Sequence, residues 1–439
     1  MYISLRNTPG PTRGRNRGRN RGRVSSIVIT LGIVSLLTDV ASESVSAILP
    51  IYITAAIGLS TVAYGFIDGL YQGVSALVRI GGGWVADRGQ QPKWVAFFGY
   101  GISAVARGGL LIATGFGALT AVVTLDRIGK GVRTAPRDAM IAAASDEASL
   151  GRSFGVHRML DTVGAALGPL LAFVILFVIP HGYTAVFAVS LAFALAGLAV
   201  LGLMVPDMRS APRAAAAAAA ERTTAASTAH ESAAAAPRFR WRQLNDPSLR
   251  RLLIAAGLFG LLTIGDGFIY LVLQSRDAFA TEWFPLLYVG TNITFLAFAV
   301  PAGRIADRFG RARMFVIGHL VLLGAYVVAA LPATGPVLTV ACLVLLGAFY
   351  ASTDGILAAL AAQHTPPTAR ATGIAAAQTV VALTRLVAST GFGLLWFMVG
   401  RETAMVIAAG ALALVLPAVA ALLWAPRRMP LDDPAGAAE

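Results

Sequence analysis

Long apolar runs decide most of what this chain can fold into. Between Ser26 and Trp424 they recur about twelve times, each near the ~20 residues a helix needs to cross a bilayer's hydrocarbon core. The expected helices lie near 26–57, 62–86, 94–114, 118–136, 154–179, 183–205, 250–274, 282–302, 314–332, 336–362, 371–399 and 402–424. Lipid-exposed strands are excluded, because their edges would leave backbone groups unpaired in hydrocarbon. Composition agrees. Apolar residues make up 56% of the chain and charged ones 13%, about half the ~25% of a soluble domain. The fold class expected is therefore an all-α membrane protein. The single cysteine, Cys342, rules out an internal disulfide and reads as a small buried hydrophobe.

The charges sort the connections into two kinds. Those at Gly58–Thr61, Gly115–Gly117, Pro180–Gly182 and Leu331–Pro336 carry no Lys or Arg, and only Arg276 and Arg401 stand on that side. The other side holds the basic tail, Arg88 and Lys93, Arg133 to Arg152, Arg209 to Arg251, Arg304 to Arg313, Arg370, Arg427 and Arg428. Positive charge marks the cytoplasmic side, so both termini are expected there, in a multi-pass protein of the cell inner membrane. The net charge of +13 is concentrated in that tail, with arginines at 6, 13, 15, 17, 19, 21 and 23. Just before a membrane helix, such a tail holds the N-terminus inside and touches anionic lipid, a better reading than RNA binding. The first apolar stretch is too long for a cleaved signal peptide. The alanine-rich segment 206–248 reads as a cytoplasmic linker. The expected organisation is a disordered basic tail (1–25), a six-helix bundle (26–205), the linker, a second six-helix bundle (249–425) and a short tail (426–439).

A repeat supports the division into halves. Gly83-Trp-Val-Ala-Asp87-Arg88 and Gly303-Arg-Ile-Ala-Asp307-Arg308 share the pattern Gly-x-x-Ala-Asp-Arg, 220 residues apart. Each lies between two apolar runs. A charged hairpin repeated at half the chain length implies a duplicated bundle. Gly83 and Gly303 would let neighbouring helices approach, and Asp87 and Asp307 would sit at the membrane edge. There a carboxylate can accept from a helix N-terminus or pair with an arginine of the other half. Such a contact exists in only one of two bundle arrangements, so these six residues form a candidate cytoplasmic gate. The alternative is a solvated surface hairpin.

These strings resemble the major facilitator superfamily, whose signature between helices 2 and 3 is Gly-x-x-x-Asp-Arg-x-Gly-Arg-Lys/Arg. The second copy, Gly303 to Arg313, follows it closely; the first departs after Arg88, with Gly89-Gln-Gln-Pro92-Lys93. Arg127-Ile-Gly129-Lys130-Gly131 is similar to the family's helix-4 pattern. Gly164-Ala-Ala-Leu-Gly168-Pro169 matches the first part of its antiporter motif on helix 5, with Ala172 and Phe173 in place of the last two glycines. The resemblance implies twelve helices in two pseudo-symmetric six-helix bundles, with helices 1, 4, 7 and 10 lining a central cavity. Gly131, Gly164, Gly168 and Pro169 are expected to serve helix packing first.

Charges within the spans are the candidates for chemistry, since intramembrane ionisable groups default to function. Asp39 and Glu43 fall on one face of the first helix, four residues apart. Two carboxylates there imply a wet cavity, a cationic partner or a held proton. Arg127 on the fourth helix could neutralise one of them. Asp126 points about 100° away from Arg127 round the helix and is better placed to pair with Lys130. On the fifth helix His157 and Asp161 could relay a proton or form a static network. The second half offers Asp266, Asp354 and Arg385, with Arg385 a possible counter-charge to Asp354. Pro136 should end or bend the fourth helix.

The function expected is secondary active transport by alternating access, as proton-coupled export of a small organic solute. Import of an organic anion anchored by Arg127 and Arg385, and efflux of an inorganic cation through Asp39, Glu43 and Asp161, are the alternatives. No enzyme activity, cofactor or resident metal is called for. No Gly-x-x-x-x-Gly-Lys-Ser/Thr string is present to support ATP-driven pumping. The expected partners are a small-molecule substrate, protons and the lipid bilayer, with no nucleic acid, and the chain is expected to work as a monomer.

Overall fold

The structure, a computed structural model, describes residues 24–89, 91–145, 149–207, 246–366 and 370–424, without the side chains of 79–89 and 370–371. The basic tail, most of the 206–248 linker and the 426–439 tail lie outside the described residues, as do the side chains of Asp87 and Arg88. No strand occurs among the described residues.

The first half comprises α1 (Ser26–Ile51), α2 (Thr61–Gly89), α3 (Pro92–Leu110), α4 (Gly115–Ala143), α5 (Leu150–Val178) and α6 (Tyr183–Met204). In the second half follow α7 (Pro247–Leu262), α8 (Asp266–Asp277), α9 (Pro285–Phe309), α10 (Arg311–Ala330), α11 (Pro336–Gln363), α12 (Arg370–Val399) and α13 (Arg401–Trp424). α7 and α8 are two pieces of one span, so the thirteen helices make twelve crossings. Among the described residues, nine spans are long and apolar enough to qualify by length and composition alone; α2, α3 and α4 are not among them. α4 shows why: it carries Asp126, Arg127, Lys130, Arg133, Arg137 and Asp138, charges that need protein rather than lipid around them.

Local chemistry fixes the helix ends. Ser25 caps α1 through Ile27 N, and Asp246 caps α7 through Ser248 N and Leu249 N. Pro92, Pro247, Pro285 and Pro336 open α3, α7, α9 and α11, where a missing N–H costs nothing. Gly310, at φ +100°, forms the tight turn of the second charged hairpin, a backbone state that a side chain would strain. Two expectations are corrected. Pro136 does not end α4, which continues through it, with the proline buried, for a further two turns to Ala143. The seventh span, expected to be continuous over 250–274, breaks at Thr263–Gly265.

The two halves are built alike. In the first, α1 packs on α5 and α6, α2 on α4, and α3 on α4 and α6. In the second, α7 packs on α12 and α13, α9 on α11, and α10 on α11 and α13. Each pair of one half has its counterpart in the other, the signature of a duplicated bundle. Between halves, α2 packs on α12 and α5 on α9, again a symmetric exchange.

The halves meet tightly at the face opposite the charged hairpins, here called the far face. Gly65, Gly69 and Gly73 lie one turn apart on α2. A Cβ at Gly65 would collide with the Ser389 carbonyl, and one at Gly69 would fall 2.7 Å from that of Leu386. Thr61 Oγ1 donates to Gly393 O across the same seam, at 3.0 Å. Phe268 fills the junction, edge-on to Tyr64 and Phe392.

Candidate functional site

Two polar systems occupy the interior, one in each half. In the first half, α4 supplies a row of buried charges. Arg107 on α3 forms an ion pair with Asp126 at 3.0 Å and donates to Ser42 Oγ at 2.7 Å, Ser190 Oγ at 3.1 Å and Ser103 O at 3.1 Å. Arg127 also binds Asp126, and its guanidinium lies 3.7 Å from the centre of the Tyr71 ring. Arg133 donates to Ser103 Oγ at 2.9 Å. The expected Asp126–Lys130 pair is therefore corrected. Asp126 is consumed by Arg107 and Arg127, because an arginine one residue along the chain can fold back while α3 brings a second one across. Lys130 instead lies within electrostatic reach of Asp39 and Glu43.

One turn nearer the hairpin face, a second group assembles from α1, α4 and α5. The carboxyls of Asp39 and Asp161 lie within hydrogen-bonding reach of each other, with Lys130 beside Asp39. Asp161 is 3.4 Å from Arg158 and 3.9 Å from Arg137. Arg137 donates to Ser35 Oγ at 3.1 Å, and His157 Nε2 sits 3.5 Å from the same oxygen. His157 Nδ1 is buried without a partner among the described residues. Small residues permit this closeness: Gly164 abuts the backbone of Leu36, and Gly168 abuts Glu43 and Ser44, so α5 lies directly against α1. Gly131 faces Ser75 and Val78 of α2, and Pro169 is buried. Glu43 stands between the two halves, within electrostatic reach of Arg127, Lys130, Tyr71 and, from the other half, Tyr288.

In the second half a cavity of about 580 Å³ opens among α7, α9, α10, α11 and α12, with Gln72 and Arg158 contributed by the first half. Its walls include Thr263, Phe295, Phe315, His319, Phe349, Asp354, Gln378 and Arg385. That volume lies within the ~300–1,000 Å³ usual for small-molecule sites. His319 Nδ1 is 2.8 Å from Phe315 O, and its ring stacks at 3.8 Å on Phe259. A ring held this way donates through Nδ1 and leaves Nε2 as an acceptor. Deeper, Asp266 accepts from Tyr350 Oη at 2.7 Å. Arg385 lies 5.9 Å from the centre of the Tyr350 ring. The expected Arg385–Asp354 ion pair is not formed: no bond within 4.0 Å joins them.

Several members of these systems went unremarked in the sequence. Asp68 is the most telling. Buried on α2, its carboxylate accepts from Ser389 Oγ of α12, across the seam between the halves. The rule that singles out Asp39 applies equally to it. The same rule reaches Arg107 and His319 too, while Tyr71 and Tyr350 carried no such signal, since their roles depend on what other helices bring to them.

The gate residues fall out differently. Gly303 has nothing within 4 Å of a Cβ position, so it serves no close packing here. Asp307 pairs with Arg311 of its own hairpin at 2.9 Å and is exposed, and Arg308 lies against Phe309. Among the described residues, Asp307 makes no ion pair with an arginine of the other half.

Comparison with known proteins decides the family. The family model of the Major Facilitator Superfamily matches residues 31–290 and 279–438. The chain belongs to the Major Facilitator Superfamily. Its Methanocaldococcus jannaschii relative, an uncharacterized MFS-type transporter, is 28% identical over 386 residues, covering 85% of this chain and 89% of the relative. An uncharacterized protein of Mycobacterium tuberculosis is 26% identical over 296 residues, 67% of this chain and 69% of that one. Among solved structures, the nucleoside transporter NupG superposes with a TM-score of 0.72 at 15% identity, covering 91% of this chain and all of that one. A POT family transporter in complex with 5-aminolevulinic acid gives 0.72 at 13% identity, with 90% and 95% covered. At these identities the likeness is one of fold. As a superfamily member the chain is a multi-pass membrane transport protein with twelve helices in two pseudo-symmetric six-helix bundles. A small-molecule substrate and a lipid environment follow from that membership.

Proposed function

We propose that the chain is a secondary transporter of the cell inner membrane that exports a small organic solute in exchange for protons. The observation that carries the coupling is the Asp39–Asp161 pair. Two carboxyls in hydrogen-bonding reach repel when both are ionised, which makes the pair the place in the spans best suited to take up and release a proton. Lys130, Arg137 and Arg158 stand around the pair and stabilise the charge left when that proton leaves. The pair bridges α1 and α5, so losing the proton changes the attraction between elements of the lobe that must rock. Taking the basic hairpin face as cytoplasmic, the far-face seam closes the outside and the cavity is reached from inside.

The alternatives fare less well. Arg127 is occupied by Asp126 and Tyr71, which leaves Arg385 alone as an anion anchor for import. For inorganic cation efflux, no three His, Cys, Asp or Glu groups converge among the described residues.

The test is flux in proteoliposomes under an imposed pH gradient. Asp39→Asn and Asp161→Asn should each abolish gradient-driven flux while retaining gradient-independent counterflow. Gradient-driven flux at the native rate in both variants would remove the pair from the mechanism.

A further inference from the structure

Apart from Arg158, which is paired with Asp161, the second-half cavity holds two opposite charges that form no ion pair with each other. Arg385 on α12 and Asp354 on α11 both line it, yet neither makes a hydrogen bond or an ion pair to any described residue. Arg385 Nε is buried and unpartnered. Asp354 is exposed to the hollow. Something keeps them apart. Arg385 is drawn to the face of the Tyr350 ring, whose hydroxyl is committed to Asp266. Asp354 follows Tyr350 by four residues on the same helix, one turn nearer the hairpin face. A rise of about 6 Å along α11 thus separates the backbone position of the negative group from that of the ring that carries the positive one.

An arginine and an aspartate that could satisfy each other would ordinarily do so. Held apart across a water-accessible hollow, they form a dipole that a solute with one charge can only half neutralise. Such a solute would leave either Arg385 or Asp354 desolvated and unpaired when the cavity closes, which is costly. A solute carrying both charges at a short separation satisfies both. The neighbouring walls supply the remaining contacts. Phe295, Phe315 and Phe349 offer an apolar surface, and the amides of Gln72 and Gln378 offer donors and acceptors.

We propose that the transported solute is a small zwitterion, its anionic group taken by Arg385 and its cationic group by Asp354, with its apolar part against Phe315 and Phe349. This deepens the transport reading and rests on it for the word transported. The charge pair stands on its own as a binding site.

The purified full chain in lipid nanodiscs is titrated with phenylalanine, leucine and methionine. Each is compared with its amide, which lacks the carboxylate, and its N-acetyl form, which lacks the ammonium. At least one parent should bind about tenfold or more tightly than both its derivatives, the ratio that 1.4 kcal/mol gives. Arg385→Gln should level parent and amide, Asp354→Asn should level parent and N-acetyl form, and Arg385→Lys should keep part of the preference. That last variant separates a lost charge from a misfolded chain. The assignment is overturned if no parent binds, or if in the native protein a singly charged derivative binds as well as its parent. Counterflow of the bound compound in proteoliposomes then separates the two readings. Binding with no flux overturns transport and leaves the site. Flux of the N-acetyl forms with no zwitterion bound overturns the site and leaves transport.

Discussion

Arg107 shows how much a single residue can matter structurally. In sequence it is one more arginine near the end of an apolar run. In the fold it is buried, with three hydrogen bonds in addition to its ion pair with Asp126. Together with Arg127 it makes Asp126 the common acceptor of two buried cations. Removing that acceptor strands both charges, and breaking a buried pair from one side costs about 3–5 kcal/mol. Asp126→Ala should therefore lower the melting midpoint of the detergent-solubilised protein steeply. Asp126→Asn, which keeps an acceptor oxygen, should lower it less. Fluorescence-detected size exclusion after a heat step measures both. Asp39, Glu43 and Asp161 are half-buried, as the aversion of hydrocarbon to charge would have them. The sequence reading mispaired Asp126 because helix periodicity locates a Cβ, while a long arginine side chain can curl back to its neighbour.

The broken seventh span is the clearest lesson among the elements. Apolar content alone reads Leu261 to Tyr270 as helix, and the structure interrupts it at Thr263–Gly265. The freed backbone is not abandoned. Tyr326 Oη accepts from Ile264 N at 2.8 Å and donates to Leu262 O at 2.9 Å, bracketing the break from α10. Irregular backbone at membrane depth survives only with such protein partners. Tyr326→Phe should leave two buried groups unsatisfied, at about 1–3 kcal/mol each. Faster amide hydrogen exchange at Ile264 and a lower melting midpoint would report it; unchanged exchange would mean that water replaces the hydroxyl. The break had a legible sign in Gly265-Asp266-Gly267, two glycines flanking an intramembrane acid. The ladder Gly65, Gly69, Gly73 was equally legible as a close-approach stripe. Its partner, α12, was not, since nothing in one helix names the helix it will meet.

At the level of the whole molecule, the duplication written in the two hairpins reappears as matching helix pairs in each half. That much followed from the repeat spacing and the apolar runs. Which face would be closed did not follow, because both arrangements use the same sequence and differ by little energy. The glycine seam offers a handle on that balance. Gly69→Val places methyls against the Leu386 backbone, where a Cβ already falls at 2.7 Å. Overpacking of this kind costs about 1–3 kcal/mol, enough to change a two-state population by about fivefold to a hundredfold. Spin labels at Ser60 and Met398 should report a longer distance in that variant than in the native protein. An unchanged distance would show that the seam does not set the balance.

The paired carboxyls sit in one half and the hollow with its separated charges sits almost wholly in the other. On the proposed reading, a chain divided this way can alter what it carries by drift in α7, α10, α11 and α12 while the proton coupling stays as it was. Descendants of one ancestor could thus diversify in cargo without reinventing the drive. A graft of residues 246–424 from a relative onto residues 24–207 of this chain would keep the rhythm and change the passenger.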